Sequence, residues 1–335
     1  MKKLASLAIV FFVVGVMPFI SGDASAQKQV VVAGASMGTG PYMFSVAFST
    51  LANKYYPQAK FVAQATGGSI ENLKLINQKD IDIGLITPGA LTAAKEGTRW
   101  FKDLKDSKAL RYDNVRGISV YFSMSMHFIV RDNSPIRTIY DAKGKRVALG
   151  SPGSTIAMMS LDILEAYGLK KNVDYKSVEL DAPTAATSWQ DGMVDLWCQL
   201  NEVPSGQISD ATALNNFRLL SIDDENIVKK LKDNKAISKE EGTALTTIEV
   251  GAYPTMKNNK PVVTISSYSG INAHKDLSDD IVYGFTKAIY DHLDELQQRL
   301  GPSAKRFKLE DAIAGLVLPL HPGAAKYYRE KGVLK

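Results

Sequence analysis

Cysteine is almost absent: Cys198 is the single one among 335 residues, so no intrachain disulfide can form and a domain of this size must be held by its core. Histidine is nearly as scarce. His127, His274, His292 and His321 are scattered, and with no pair at metal-ligand spacing and no second cysteine, a thiolate or imidazole metal site is not expected. No glycine-rich stretch ends in Gly-Lys-Ser/Thr, and the loop after the first strand lacks the third glycine of a dinucleotide fingerprint, so neither nucleotide motif is present. An excess of one charge is also missing. The net charge of +5 is spread along the chain, and its densest basic stretch, Arg99 to Arg111, is interrupted by Asp103 and Asp106, which reads as a solvated face rather than a nucleic-acid site.

Long apolar runs are confined to the start. Lys2 and Lys3 precede an apolar stretch from Leu4 to Ile20, followed by Ala24, Ser25 and Ala26, the three regions of a cleavable signal peptide cut before Gln27. Gly15, Pro18 and Ser21 interrupt the stretch, which is short for a membrane span. Cys198 lies far from the cleavage point, so no lipid anchor is expected there. The expected product is a freely diffusing periplasmic monomer. Roughly 300 residues remain after cleavage, more than one hydrophobic core usually organises, and two domains are expected.

The mature chain alternates strands and helices. Gln29 to Ala33 reads as a buried strand, and Pro41 starts a helix with Phe44, Phe48, Leu51 and Tyr55 on one face. Phe61 to Ala65 makes a second strand, a helix carries Ile70, Leu73 and Ile76, and Ile81 to Ile86 closes the unit. The cadence recurs with strands Arg146 to Leu149, Lys176 to Leu180 and Val194 to Gln199. Gly34-Ala35-Ser36 matches Gly150-Ser151-Pro152, and Lys79 to Ile83 matches Gly192 to Leu196. Two similar α/β units with parallel strands are therefore expected. Beyond Asn215 a polar, helical stretch runs to Gly242, an extended one covers Thr246 to Tyr268, and an amphipathic helix with Ile281, Phe285 and Ile289 lies beyond Leu277. This predicts lobe one from 27–126 plus 268–335, lobe two from 127–267, and a two-strand hinge between them.

Each unit places small and hydroxyl-bearing residues where a strand feeds a helix, and unpaired N–H groups and the helix dipole there favour an anion. Ser36, Met37, Gly38 and Thr39 form one loop, Thr66, Gly67, Gly68 and Ser69 a second, and Ser151, Gly153, Ser154 and Thr155 a third, with Thr87 after the third strand. In open α/β sheets ligands sit beyond the carboxyl ends of the strands, where these loops lie. Ordinary capping explains any one loop; three together point to a cleft. Tyr42, Trp197 and Tyr253 are candidate aromatic walls, with core packing the alternative for each. Met124 and Met126 could line the cleft or fill the core. Gly34-Ala35-Ser36-Met37-Gly38 also matches the nucleophile elbow of α/β hydrolases, although the elbow normally comes after a central strand.

Three segments carry a family resemblance: Gln64-Ala65-Thr66-Gly67-Gly68-Ser69-Ile70-Glu71-Asn72-Leu73, Gly150-Ser151-Pro152-Gly153-Ser154, and Pro319-Leu320-His321-Pro322-Gly323-Ala324-Ala325-Lys326-Tyr327-Tyr328. The chain resembles the TAXI solute-binding proteins of tripartite ATP-independent periplasmic (TRAP) transporters over nearly all of its mature length. That resemblance implies a type II periplasmic-binding fold, capture of a small carboxylate such as glutamate or 2-oxoglutarate between two lobes, delivery to TRAP membrane subunits, no cofactor and no enzymatic activity. Two departures bear on the ligand. The family's Gly-Thr-Gly-Gly-Thr-Tyr-Tyr reads Met37-Gly38-Thr39-Gly40-Pro41-Tyr42-Met43 here, and Gln-Ser-Asp after the third strand is replaced by Thr87-Pro88-Gly89. The second removes a carboxylate that could meet an amine, which suggests a keto, hydroxy or aromatic acid without an α-amino group. The segment from His321 to Tyr328 reads as a proline-started helix packed on lobe one. Two alternatives remain, a periplasmic ligand sensor for a membrane histidine kinase and a hydrolase with Ser36 as nucleophile.

Overall fold

The computed structural model describes residues 27–98, 101, 112–238, 240–301, 304 and 307–335. The expected signal peptide, and all but Phe101 of the basic stretch, lie outside the described residues. The β-branched start forms β1 (Lys28–Ala33), which pairs in parallel with β2 (Ala59–Gln64) and β3 (Ile83–Ile86). Proline lies in the first turn of α1 (Gly40–Tyr55), where its missing N–H has no intrahelical partner to lose. Phe44, Phe48 and Leu51 are buried along that helix. Tyr55 departs from the expected face: it is exposed and stacks on His292. Next come α2 (Ser69–Gln78), burying Leu73 and Ile76, and α3 (Pro88–Glu96).

The second unit repeats the plan with β5 (Arg146–Ala148), α4 (Thr155–Ala166), β6 (Lys176–Val178), α5 (Ala182–Gln190) and β7 (Leu196–Asn201). The likeness between residues 79–83 and 192–196 has a structural cause. Asp82 accepts from the Val31 N–H through its carboxylate and donates its own N–H to Val31 O, and Asp195 does both with Arg146. In each unit an aspartate therefore fixes where one strand enters beside its neighbour.

Two long strands join the units: β4 (Val115–Arg131) and β10 (Val262–His274). The sheet is continuous, in the order β2-β1-β3-β10-β4-β7-β5-β6, with β8 (Phe217–Leu219) on β4 and β9 (Thr243–Ile248) on β10. It is mixed, not parallel throughout. Strands β10 and β4 pair antiparallel, as do β10 with β3 and β4 with β7, because one connection leaves the first unit and the other returns to it. Their register shifts between Ser267 and Ser269. The polar stretch after Asn215 contains β8 before α7 (Glu225–Asp233), and α6 (Gly206–Thr212) precedes it. At the end, α8 (Asp279–Tyr290), α9 (Leu293–Leu300) and α10 (Pro322–Glu330) complete the chain.

The core divides accordingly. Two buried clusters draw only on positions 30–121 and 271–328, and two others only on 124–265, so the molecule is an α/β protein of two lobes. Burial pushes the Cys198 thiol up to about 12, which leaves it un-ionised and unreactive. No helix among the described residues is long and apolar enough to cross a membrane.

Candidate functional site

Five helix N-termini, those of α1, α2, α3, α4 and α5, meet a small cavity between the lobes. Thr39 precedes α1, Gly68 precedes α2 and Thr87 precedes α3, and none of the three makes a side-chain cap to its helix. On the opposite side Ser154 caps α4 by accepting from Ala157 N–H. The cavity of about 40 Å³ is lined by Ser36, Thr39, Gly67, Gly68, Ser69 and Thr87 from lobe one and by Ser151, Ser154, Thr155 and Ile156 from lobe two. Among the described residues no charged side chain lines it, so its field comes from helix dipoles and N–H groups.

Local bonding explains the loop shapes. Gly34 must be glycine because a Cβ there would stand 2.7 Å from Pro41 O and Tyr42 Cα. Gly68 has φ 109° and ψ −152°, a region essentially closed to other residues. Thr66 does not line the cavity; its hydroxyl donates to Asn72 Oδ1 and accepts from Gly68 N–H, while Asn72 Nδ2 donates to Gly34 O and Leu85 O. Thr66 and Asn72 thus tie the first loop, the second loop and β3 together.

The lobes touch through hydroxyls. Thr155 Oγ1 lies 3.0 Å from Ser69 Oγ and 3.1 Å from Thr87 Oγ1, and the Thr87 N–H donates to Ser69 Oγ. Three of the residues singled out from sequence therefore form one cluster across the cleft.

Others lie elsewhere. Met37 is exposed and lines, with Gly38, a second cavity between the lobes. Gly153 and Tyr42 line neither cavity. Trp197 is fully buried against Trp189 in the core of lobe two, since its strand is covered on both faces. Tyr253 is also buried; its hydroxyl pairs with His127 Nε2 and accepts from Ser205 N–H. Sequence reasoning missed Leu85, Leu200 and Ser269 and left Met124 open, yet all four line the small cavity. The signal was available: Met124 and Ser269 sit at the middle of the two crossover strands, which must pass beneath any cleft.

Ser36 lines the cavity and stands in a Gly-x-Ser-x-Gly turn, but it lacks the strained backbone and the base of an elbow nucleophile. It is not among the non-glycine residues with positive φ, and each histidine is engaged elsewhere: His127 with Ser125 O and Tyr253, His274 with Asp276 N–H, His292 with the Tyr55 ring and His321 with Gly323 N–H. Among the described residues no group of three or more His, Cys, Asp and Glu could hold a metal ion. The arrangement can bind an anion with neutral donors and offers Ser36 no base.

The NMT1-like family model matches residues 32–332, and the chain belongs to that family. Solved structures similar to it include the periplasmic aliphatic sulphonate binding protein SsuA from Escherichia coli, at 17% identity and TM-score 0.42, covering 84% of this chain and 81% of that one. The alkanesulfonate-binding protein SsuA from Xanthomonas axonopodis pv. citri bound to MOPS is 15% identical, with 92% and 94% covered and TM-score 0.47. A TRAP periplasmic solute binding protein from Sulfitobacter sp. NAS-14.1 with bound β-D-galacturonate is 12% identical, with 90% and 94% covered and TM-score 0.47.

Proposed function

We propose, from membership of the NMT1-like family, that the chain is a periplasmic solute-binding receptor of the TAXI kind. It captures a small organic acid between its lobes and delivers it to TRAP membrane subunits for ion-gradient-driven uptake. The observation that carries this reading is the set of uncapped helix N-termini in lobe one facing Thr155 in lobe two, around a cavity without charged side chains. Uncapped N–H groups are donors in need of an acceptor, and a carboxylate is the acceptor that the dipoles favour.

The lobes, taken as 27–126 plus 268–335 and 127–267, rock about β4 and β10. An open form admits the acid, and contacts to both lobes favour the closed form by the difference in binding energy between the two. Ser69, Thr87 and Thr155, bonded to one another when the lobes meet, are the groups that exchange these bonds for bonds to the ligand. A cavity lining without a carboxylate gives an α-ammonium no counter-ion, which favours a keto, hydroxy or aromatic acid. The receptor works as a monomer without a cofactor.

Thermal-shift and calorimetric titration with pyruvate, 2-oxoglutarate, aromatic acids and glutamate test the reading. An acid at a hundredfold excess over its Kd adds about 2.7 kcal/mol to stability. Tight glutamate binding would sink the amine-free ligand, and no stabilisation by any acid would sink the receptor reading itself.

A further inference from the structure

The cavity at the helix N-termini holds about 40 Å³, room for an anionic head and little else. A far larger one, about 600 Å³, lies beside it between the same lobes, within the size range of small-molecule pockets. Lobe one contributes Met37, Gly38, Gly40, Met43 and Arg299, whose guanidinium pairs with Glu295, and lobe two contributes Glu202, Gln207 and the exposed Asp210. The two cavities adjoin at Gly40: a Cβ there would stand 2.5 Å from Glu202 Oε2 and 3.7 Å from the sulfur of Met124, which lines the smaller cavity.

Two polar atoms in this wall are buried without a hydrogen-bond partner among the described residues, Glu202 Oε2 and Gln207 Nε2. Buried polar groups in native proteins are paired, so such a pair demands an account. The bonding fixes what each one offers. Asn201 Oδ1 accepts from the Gly40 N–H, so Asn201 Nδ2 is a donor, and it donates to Ser205 Oγ and to Gln207 Oε1. Gln199 Nε2 donates to that same Gln207 oxygen. With its oxygen held by two amides, Gln207 presents N–H donors, while Glu202 presents an acceptor.

We propose that this larger chamber receives the body of the ligand and recognises in it a group that is donor and acceptor at once, a hydroxyl or a carboxamide, through Glu202 and Gln207. At this pair, away from the exposed Asp210 and Arg299 of the same wall, an ammonium would leave the Gln207 N–H groups without an acceptor, and a second carboxylate or a ketone would give Glu202 no donor. The proposal rests on the reading of the smaller cavity as the anion site. Together they describe one ligand, a hydroxy or amide acid lying from the helix N-termini past Gly40.

Calorimetry on the purified chain with straight-chain alkanoates of three to seven carbons, and with the matched ω-hydroxy, ω-carboxamide and ω-amino acids, tests it. At one or more lengths the hydroxy or amide acid is expected to bind about tenfold tighter than its alkanoate. That preference disappears in Glu202→Ala and Gln207→Leu, each compared with the alkanoate affinity of the same variant. Should Glu202→Ala fold poorly by circular dichroism, Glu202→Met replaces it, keeping about the same volume while removing the acceptor. Equal affinities at every length, a preference indifferent to both variants, or tightest binding by the amino acids overturns the chamber while leaving the anion site standing. Failure of every acid to bind overturns the anion site, and the chamber with it.

Discussion

In lobe two the helices α4, α5, α6 and α7 all begin with a side-chain cap, from Ser154, Asp181, Ser205 and Asp224. In lobe one the three helices that point at the cleft, α1, α2 and α3, have none. A cap contributes about 1 kcal/mol, so lobe one forgoes stability at three neighbouring positions while lobe two forgoes none. The difference assigns different work to similar loops: lobe two caps its own helices, whereas in lobe one the start of α2 is left without a side-chain acceptor, and of α1 the Gly40 N–H is already held by Asn201 of lobe two. An acid would therefore dock on lobe one first, and lobe two would close over it with the Thr155 hydroxyl.

The largest expected effect comes from acid, and it reaches both lobes, because burial also lowers His274 and His321 in lobe one. Burial in lobe two holds His127 down to about 4, well below its unfolded value of about 6.5. The unfolded chain then binds more protons between those values, so stability is complete above pH 6.5 and is lost as pH falls toward 4. Urea unfolding should show a loss of about 2 kcal/mol between pH 7 and pH 4.5 from this residue. His127→Gln should flatten that part of the profile, and an unchanged profile would clear His127 of the effect. Next comes a pair of glycines. Gly68→Ala, at a backbone conformation that costs other residues about 1–3 kcal/mol, should lower stability and weaken acid binding more than tenfold. Gly153→Ala in lobe two, where the added Cβ meets nothing closer than 3.9 Å, should lower stability by about 1 kcal/mol and leave affinity within twofold. Equal effects on binding would erase the distinction between the loops.

Much of the architecture is legible in the sequence. The strand and helix cadence, the duplicated unit with its Asp82 and Asp195, and the two crossings near Met126 and Val262 all come from local pattern. Ser36, Thr39, Ser69, Thr87 and Thr155 can be picked out because a hydroxyl before a helix is a signal in the sequence itself. The features that escape it depend on which face a strand presents. Trp197 and Tyr253 read as cleft aromatics, but β7, which carries Trp197, is buried at every position, where alternation says nothing because both faces are covered, and Tyr253, between β9 and β10, commits its hydroxyl to His127 and Ser205. The mixed sheet is hidden for a related reason: strand direction at a crossing is set by where the chain must return. Glu202 is invisible as well, since its importance comes from facing Gly40, a residue 162 positions away in the chain.

The two smallest predictions divide neighbours. Thr155→Val keeps the shape and removes the hydroxyl that bonds Ser69 and Thr87 across the cleft; acid affinity should fall about tenfold with little change in unfolding. Ser154→Ala acts the other way. Its hydroxyl is already committed to the Ala157 N–H at 3.1 Å, so the substitution should cost about 1 kcal/mol of stability and speed amide exchange at Ala157, while affinity stays within twofold. A cap and a ligand donor are competing uses of one hydroxyl, because the geometry that aims its oxygen at its own helix aims it away from the cleft. If Ser154→Ala instead weakens binding as much as Thr155→Val does, the cap opens when the acid arrives, and lobe two joins lobe one in leaving a helix end for the ligand.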